Sequence, residues 1–258
     1  MVVCALPVLA ALWVAASASA QSPFDGTWKE NQSQTKLSPK PNVFYLAQQW
    51  YHCESCNPSF AVKADGTDQP VSGQAYDTLS VKEQSAETLQ FVAKKGGKVM
   101  FEQTRMVSKD GKMLTVKTTS HFPDSDQTDA VEATGKMVGA KPSGVHAASG
   151  NWQIVKLQES AKSSTLTLKM NGDELTMTEG TGVSFTAKLD GTSAPMKGSF
   201  SIDSVSVKKL DANSIEETEI RGGQTISVIK WTVKGRTMTE EAHNMLTDRI
   251  NTFTWTKI

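Results

Sequence analysis

The chain has 258 residues, and its 27 Lys and Arg balance 27 Asp and Glu, so the formal net charge is zero. A neutral chain without a basic run gives no electrostatic reason to expect a nucleic-acid partner. Three cysteines are too few to staple a chain of this size, so a hydrophobic core has to hold it together.

Residues 1–20, MVVCALPVLAALWVAASASA, are apolar, then small, and end in Ala-Ser-Ala before Gln21. This is the layout of a secretory signal with an A-x-A-type cleavage site, although no Lys or Arg precedes the apolar run. The run is short for a membrane span of ~20 residues. No later stretch is apolar enough to span a bilayer. The expectation is an exported protein, periplasmic or secreted, with a mature chain from Gln21. Cys4 then leaves with the signal, and Cys53 and Cys56 remain in a compartment where disulfides persist.

The mature chain is written twice. Residues 60–73, FAVKADGTDQPVSG, recur as residues 185–198, FTAKLDGTSAPMKG. Gly26 and Trp28 recur as Gly150 and Trp152, Leu79-Ser80-Val81-Lys82 as Val205-Ser206-Val207-Lys208, and Gly96-Gly97 as Gly222-Gly223. The segment DGKMLT from Asp110 matches KGRTMT from Lys234. The order is kept across more than a hundred residues, with offsets of 124 to 126. Drift of that size marks small loop insertions in a shared scaffold. The expected division is repeat 1 over 21–134, a Gly-, Ala- and Ser-rich linker over 135–148, and repeat 2 over 149–258.

The periodicity is that of strands. STLTLKM from Ser164, ELTMT from Glu174, VSFTA from Val183, IDSVSV from Ile202, IEETEI from Ile215 and ISVIKWTV from Ile226 alternate apolar with polar residues. NTFTWTKI, residues 251–258, puts Phe253 and Trp255 on one face. Asn171-Gly172, Asp190-Gly191, Gly222-Gly223 and Lys234-Gly235 mark hairpins between them, and the first copy repeats the design. No long stretch has the 3.6 period of a helix. The fold expected is all-β, two tandem antiparallel up-and-down barrels, each small enough to hold one ligand or only side chains. One larger sheet structure shared by both copies is the alternative.

The opening Gly-x-Trp at the first strand of an antiparallel meander resembles the opening of lipocalins. FDGTWK, then a polar Ser-containing stretch, DGT..P, an SVK strand and a DGKMLT hairpin are similar to the lipocalin-like domains of exported bacterial proteins, here in tandem. The resemblance covers residues 24–134 and 149–258. It implies a barrel in each repeat and, at most, small-ligand binding; it implies no chemistry, because one fold hosts many functions. It also implies an Arg near the last strand that stacks on the opening Trp. Arg249 is the candidate in the second copy, and the matching strand of the first, DQTDAVEATGK, has none.

Several residues invite a functional reading. Trp28 and Trp152 either line a cavity or plug the closed end of each barrel, with the indole N–H on a backbone acceptor. His52-Cys53-Glu54-Ser55-Cys56 occurs in the first copy only. A local Cys53–Cys56 disulfide is the leading reading; a metal site with His52 would still need a fourth ligand. Asn57 after Cys56 rules out covalent haem attachment. Phe44, Tyr45, Trp50 and Tyr51 could form an apolar rim or one buried strand, with Phe44, Leu46 and Gln48 in step with Trp50. Asp124, Asp126 and Asp129 read as a solvated hairpin tip, because the spacing of a calcium loop is missing. His146 and His243 have no partner readable from the sequence.

No paired carboxylates, Ser-His-Asp arrangement or phosphate loop stands out. The expected function is therefore non-enzymatic, without cofactor or metal: an exported binding or interaction protein holding a small apolar or amphipathic ligand, or meeting an envelope protein. The alternatives are a metal- or thiol-dependent function at the Cys53–Cys56 loop and a purely structural envelope protein. The ligand-binding residues are not readable from the sequence.

Overall fold

The computed structural model describes residues 22–123 and 125–258. The expected leader over 1–20, Cys4 and the cleavage site before Gln21 lie outside the described residues, as does Asp124. The described residues form twenty strands and one short 3-10 helix, Gln32–Gln34. None of their helices is long and apolar enough to cross a membrane.

The strands make two antiparallel ten-stranded sheets, each rolled into a nearly closed barrel. The first barrel is built from β2 (Asn42–Ala47), β3 (Trp50–Cys53), β4 (Phe60–Lys63), β5 (Gln69–Pro70), β6 (Thr78–Ser85), β7 (Thr88–Lys95), β8 (Lys98–Val107), β9 (Met113–Phe122), β10 (Ser125–Met137) and β11 (Gly150–Gln158). The second is built from β1 (Gly26–Glu30), β12 (Thr165–Asn171), β13 (Glu174–Glu179), β14 (Ser184–Lys188), β15 (Asp190–Pro195), β16 (Ser204–Lys209), β17 (Ser214–Arg221), β18 (Gln224–Lys234), β19 (Thr237–Asn244) and β20 (Arg249–Lys257). At the seam of the second barrel, Ser184 N donates to Lys197 O at 3.1 Å and Lys197 N returns a bond to Ser184 O at 2.8 Å. At the seam of the first, Gly66 N donates to Val81 O at 2.8 Å.

The order of strands corrects the expected division of the chain. The opening strand of each sequence copy completes the barrel built by the other copy. β1 lies between β12 and β20, with Trp28 opposite Leu166 and Lys257. β11 lies between β2 and β10, with Trp152 opposite Asn42 and Met137. The two strands carry the same Gly-x-Trp pattern, so each fits the slot of the other. Gly26 and Gly150 both sit at positive φ, 133° and 144°, and a Cβ on Gly150 would come within 2.7 Å of Met137 Sδ. This conformation and this proximity are open to glycine.

Residues 135–148 are accordingly not the connection between barrels. Gly135, Lys136 and Met137 finish β10, and the loop after them returns into the same barrel as β11. The chain crosses between barrels at residues 31–41 and again at 159–164. The two crossings are hydrogen-bonded to each other: Gln32 Nε2 donates to Glu159 O at 3.1 Å, and Glu159 N donates to Gln32 Oε1 at 3.3 Å.

Alternation fills each barrel with one face of its strands. In β7, Leu89, Phe91 and Ala93 point inward and are buried. Leu79, Val81 and Leu114 join them in the first core, and Val205, Val207, Phe185, Leu175 and Met238 are among the buried residues of the second. Each core is thus continuous within its barrel, and burial of such faces is the main stabilising term of the fold.

Candidate functional site: the chamber of the first barrel

Trp28 and Trp152 are fully buried. Trp28 Nε1 donates to Phe24 O and Trp152 Nε1 donates to Ala148 O, both at 2.8 Å. The two tryptophans are therefore equivalent plugs with their polar edge satisfied. The cation over the Trp28 ring is Lys257, with Nζ 4.8 Å from the ring centroid. Arg249, the residue expected to stack on the opening Trp, instead donates from Nη2 to Pro41 O at 2.7 Å. Its strand position explains the difference, because Lys257 is the residue directly opposite Trp28 in the sheet.

The aromatic stretch 44–51 is a hairpin and not one strand. Gln48 and Gln49 both take positive φ, 49° and 64°, the signs required of the central residues of a primed two-residue turn. The turn re-phases the face. Phe44, Leu46, Tyr51 and Cys53 are buried, while Trp50 is 44% exposed. His52 falls on the opposite face from Cys53 and stacks on Tyr45, ring centroids 4.4 Å apart. Cys53 and Cys56 are joined as a disulfide. With both sulfurs bonded to each other and His52 turned away, this loop supplies no three-ligand metal set. Among the described residues, no three His, Cys, Asp or Glu are grouped to hold a metal ion.

The disulfide loop belongs to the wall of a cavity. Val43 N donates to Ser55 Oγ at 2.9 Å, which ties the loop to β2. Asn57 Nδ2 donates to Leu246 O at 2.7 Å, which ties it to the second barrel. Behind it, a half-open chamber of about 630 Å³ reaches from Trp152 and Ile154 in the first barrel to the β19–β20 hairpin of the second, which supplies part of its wall. This lies within the range of small-molecule sites, roughly 300–1,000 Å³.

The charged groups among the described lining residues of the chamber have one sign. Arg105, Arg221 and Arg249 line it, and no Asp or Glu is among the described residues that do. Arg105 is the arginine that packs on the aromatic wall. Its guanidinium carbon lies 4.4 Å from the centroid of Phe44 and 4.3 Å from that of Phe91. Nη1 donates to Tyr51 Oη at 2.9 Å and Nε donates to Gln103 Oε1 at 2.6 Å. None of the ion pairs among the described residues includes Arg105. Two ring faces and two neutral acceptors stabilise this cation without neutralising it. Tyr76 also lines the chamber, and burial pushes its hydroxyl well above the usual phenol range. It stays neutral and does not compete as a counter-ion.

Three other residues singled out in the sequence lie elsewhere. Asp129 is buried on β10, contrary to the expected solvated tip, and accepts a hydrogen bond from Ser160 Oγ at the second crossing. His146 shares a 2.8 Å hydrogen bond with Ser85 O, and His243 lies 2.9 Å from Asp248. Arg105 itself went unmarked because a charged residue in an alternating strand is read as facing outward. Its phase with Phe101 and Gln103 is the one signal that could have found it. Comparison of the chain with protein-family models, with curated proteins and with solved structures returns no match.

Proposed function

We propose that the protein is an exported, non-enzymatic binding protein whose first barrel holds an amphipathic molecule with an anionic head group. The observation that carries this reading is the chamber of about 630 Å³ lined by three arginines, aromatic and aliphatic side chains, and no carboxylate. The apolar wall takes the body of the ligand, and Arg105 takes its head. An unpaired guanidinium held in an aromatic cage gains most from an anion brought into the same low-dielectric space. The barrel form agrees with the lipocalin-like pattern of the Gly-x-Trp strands. A disulfide within the chamber wall agrees with an oxidising compartment.

Titration with a fluorescent polyene fatty acid tests the reading, with the corresponding polyene alcohol as control. Saturable binding of one acid per chain, with the alcohol bound at least about tenfold more weakly, is expected for a site whose charge selects the ligand. Equal binding of acid and alcohol, or of neither, would overturn it.

A further inference from the structure

The second barrel has the opposite chemistry at the same positions. Sheet register places the equivalences. Arg105 on β8 is opposite Val116 on β9, and in the second barrel Trp231 on β18 is opposite Glu240 on β19. Phe91 is opposite Gln103, and Glu217 is opposite Ile229. Ile154 on β11 is opposite Gly135, and Glu30 on β1 is opposite Trp255. Val116 and Ile154, which line the first chamber, and Phe91, which packs on its Arg105, are thus replaced by Glu240, Glu30 and Glu217, and its central cation by an indole.

These residues line a cavity of about 190 Å³, together with Glu159, Glu179 and Glu219. Six carboxyl groups face it, and no Lys, Arg or His is among its described lining residues. Each is anchored or crowded without meeting a cation. Trp231 Nε1 donates to Glu217 Oε2 at 3.2 Å, Trp255 Nε1 to Glu240 Oε2 at 2.9 Å, and Thr181 Oγ1 to Glu179 Oε2 at 2.9 Å. Glu30 accepts from Thr35 Oγ1 through Oε1. Its other oxygen, Oε2, is buried and meets no N–H or hydroxyl donor, and the neighbour within hydrogen-bonding reach of the Glu30 carboxyl is another acid, Glu159. A buried carboxylate oxygen whose one available donor is a neighbouring carboxylic acid loses that donor when the acid ionises, and it marks the place where a cationic donor fits.

That donor has a definable chemistry. Both indole N–H groups are spent on carboxylates, so Trp231 and Trp255, centroids 6.4 Å apart, offer the cavity their ring surfaces. A cation with N–H donors and a small apolar body satisfies both kinds of wall, by hydrogen bonds to carboxylates and by cation–π contact. A bare metal ion needs ligands converging on one point, and no such group of three exists among the described residues. The volume equals that of roughly six liquid waters, which sets the ligand at a short aliphatic or single-ring amine.

We propose that the second barrel is a separate binding site for a small organic ammonium ion, a primary amine or diamine, seated between the Glu30, Glu217 and Glu240 carboxyls and the Trp231–Trp255 pair. This site does not depend on the ligand assigned to the first barrel.

Proton linkage gives the proposal a signature of its own. Burial, and then neighbouring carboxylates, pushes Glu159 and Glu240 up to about 8, and burial pushes Glu179 up to about 7. The groups facing them across the cavity are Glu30, Glu217 and Glu219, with Asp129 beyond Glu179. All are acids. Several carboxyls are therefore protonated in the empty barrel near neutral pH, and an arriving ammonium ion must displace protons.

Calorimetric titration of the full chain with 1,4-diaminobutane and with 2-phenylethylamine, in two buffers of different ionisation enthalpy, tests this. The uncharged controls are 1,4-butanediol and 2-phenylethanol, and Ca²⁺ is the inorganic control. The expected result is one amine per chain, protons released on binding, and affinity about tenfold or more higher at pH 8.5 than at pH 6. In Glu217→Gln/Glu240→Gln the amine affinity falls at least tenfold, while the fatty-acid probe still binds the first barrel and reports an intact fold. Binding of the diol as well as the diamine overturns the proposal. So does amine binding without proton release in the wild-type chain, which needs no variant to measure. Saturable Ca²⁺ binding that excludes the amines overturns the organic assignment.

Discussion

Arg105 and Trp231 occupy the same place in the two barrels, one opposite Val116 and the other opposite Glu240. One exchange at this position, with its neighbours following, turns a cationic chamber into an acidic one on an unchanged scaffold. Replacing Arg105 with Met keeps the stem volume between Phe44 and Phe91 and removes the charge. Arg105→Met is expected to lower fatty-acid affinity at least about tenfold, the loss of a charge-assisted hydrogen bond. Affinity for the polyene alcohol stays within about twofold, which the same titration reads.

The pH dependence of stability follows from the acidic barrel. In the unfolded chain its glutamates ionise near their usual value of 4.5, whereas burial raises Glu159 and Glu240 to about 8 and Glu179 to about 7 in the folded chain. Glu217 and Glu219 are also raised by burial first. Between these values the folded state holds more protons than the unfolded one, so stability is full below about pH 4.5 and is lost as pH rises through 7 to 8. The ligand-free protein should melt at a lower temperature at pH 8.5 than at pH 5.5. Glu240→Gln should shrink that difference. A melting temperature flat across this range would show that the carboxyls are not held neutral.

The tryptophan plugs make a matched pair of tests. Trp152→Phe leaves Ala148 O without its donor and opens space in a fully buried position, at a cost of about 2–4 kcal/mol. Trp28→Phe removes the equivalent bond to Phe24 O. It should cost a similar amount, plus about 0.5–1 kcal/mol for the weakened contact with Lys257. Urea unfolding of both variants measures this. A cost below 1 kcal/mol for either would mean that the indole N–H contributes nothing to closing the barrel.

The disulfide closes a very short loop, so its effect on the unfolded chain is small, about 2 kcal/mol in the chain-entropy model. Cys53→Ser/Cys56→Ser is expected to lower unfolding free energy by about that amount and to leave amine binding in the second barrel unchanged. Fatty-acid binding should weaken, because the loop that carries Cys56 and Asn57 forms part of the chamber wall.

Strand exchange predicts the behaviour of a cut chain. The loop at Lys141, Pro142, Ser143 and Gly144 is exposed. A protease site inserted between Pro142 and Ser143 should give two fragments that co-migrate under native conditions and separate only in denaturant. Each fragment holds a strand of the other's barrel through two ladders, β1 with β12 and β20, and β11 with β2 and β10. Fragments that part without denaturant would contradict the exchanged arrangement.

Much of this fold was legible in the sequence, because period-two alternation and hairpin glycines act locally. The repeat fixed two similar barrels. It could not say which Gly-x-Trp strand closes which barrel, since β1 and β11 present the same pattern to either slot. The Gln48–Gln49 turn was missed because glutamines carry no turn signal, and their positive φ values are imposed by the strands on either side. The acidic cavity was hidden by a rule that usually holds. Glu217 and Glu219 run in phase with the buried Ile215, so the period placed them indoors, while their charge argued for solvent.

The exchanged opening strands also bind the two halves of the gene to a common fate. Glu30, encoded before any strand of the first barrel, forms part of the second cavity, and Ile154 crosses the other way. A deletion that removed one repeat would leave the survivor to close on its own opening strand. That would set a carboxylate among the arginines, or an isoleucine among the glutamates. Neither compartment can be inherited, lost or reshuffled as a free-standing module, and a change in the lining of one is felt in the repeat that supplies a strand to the other.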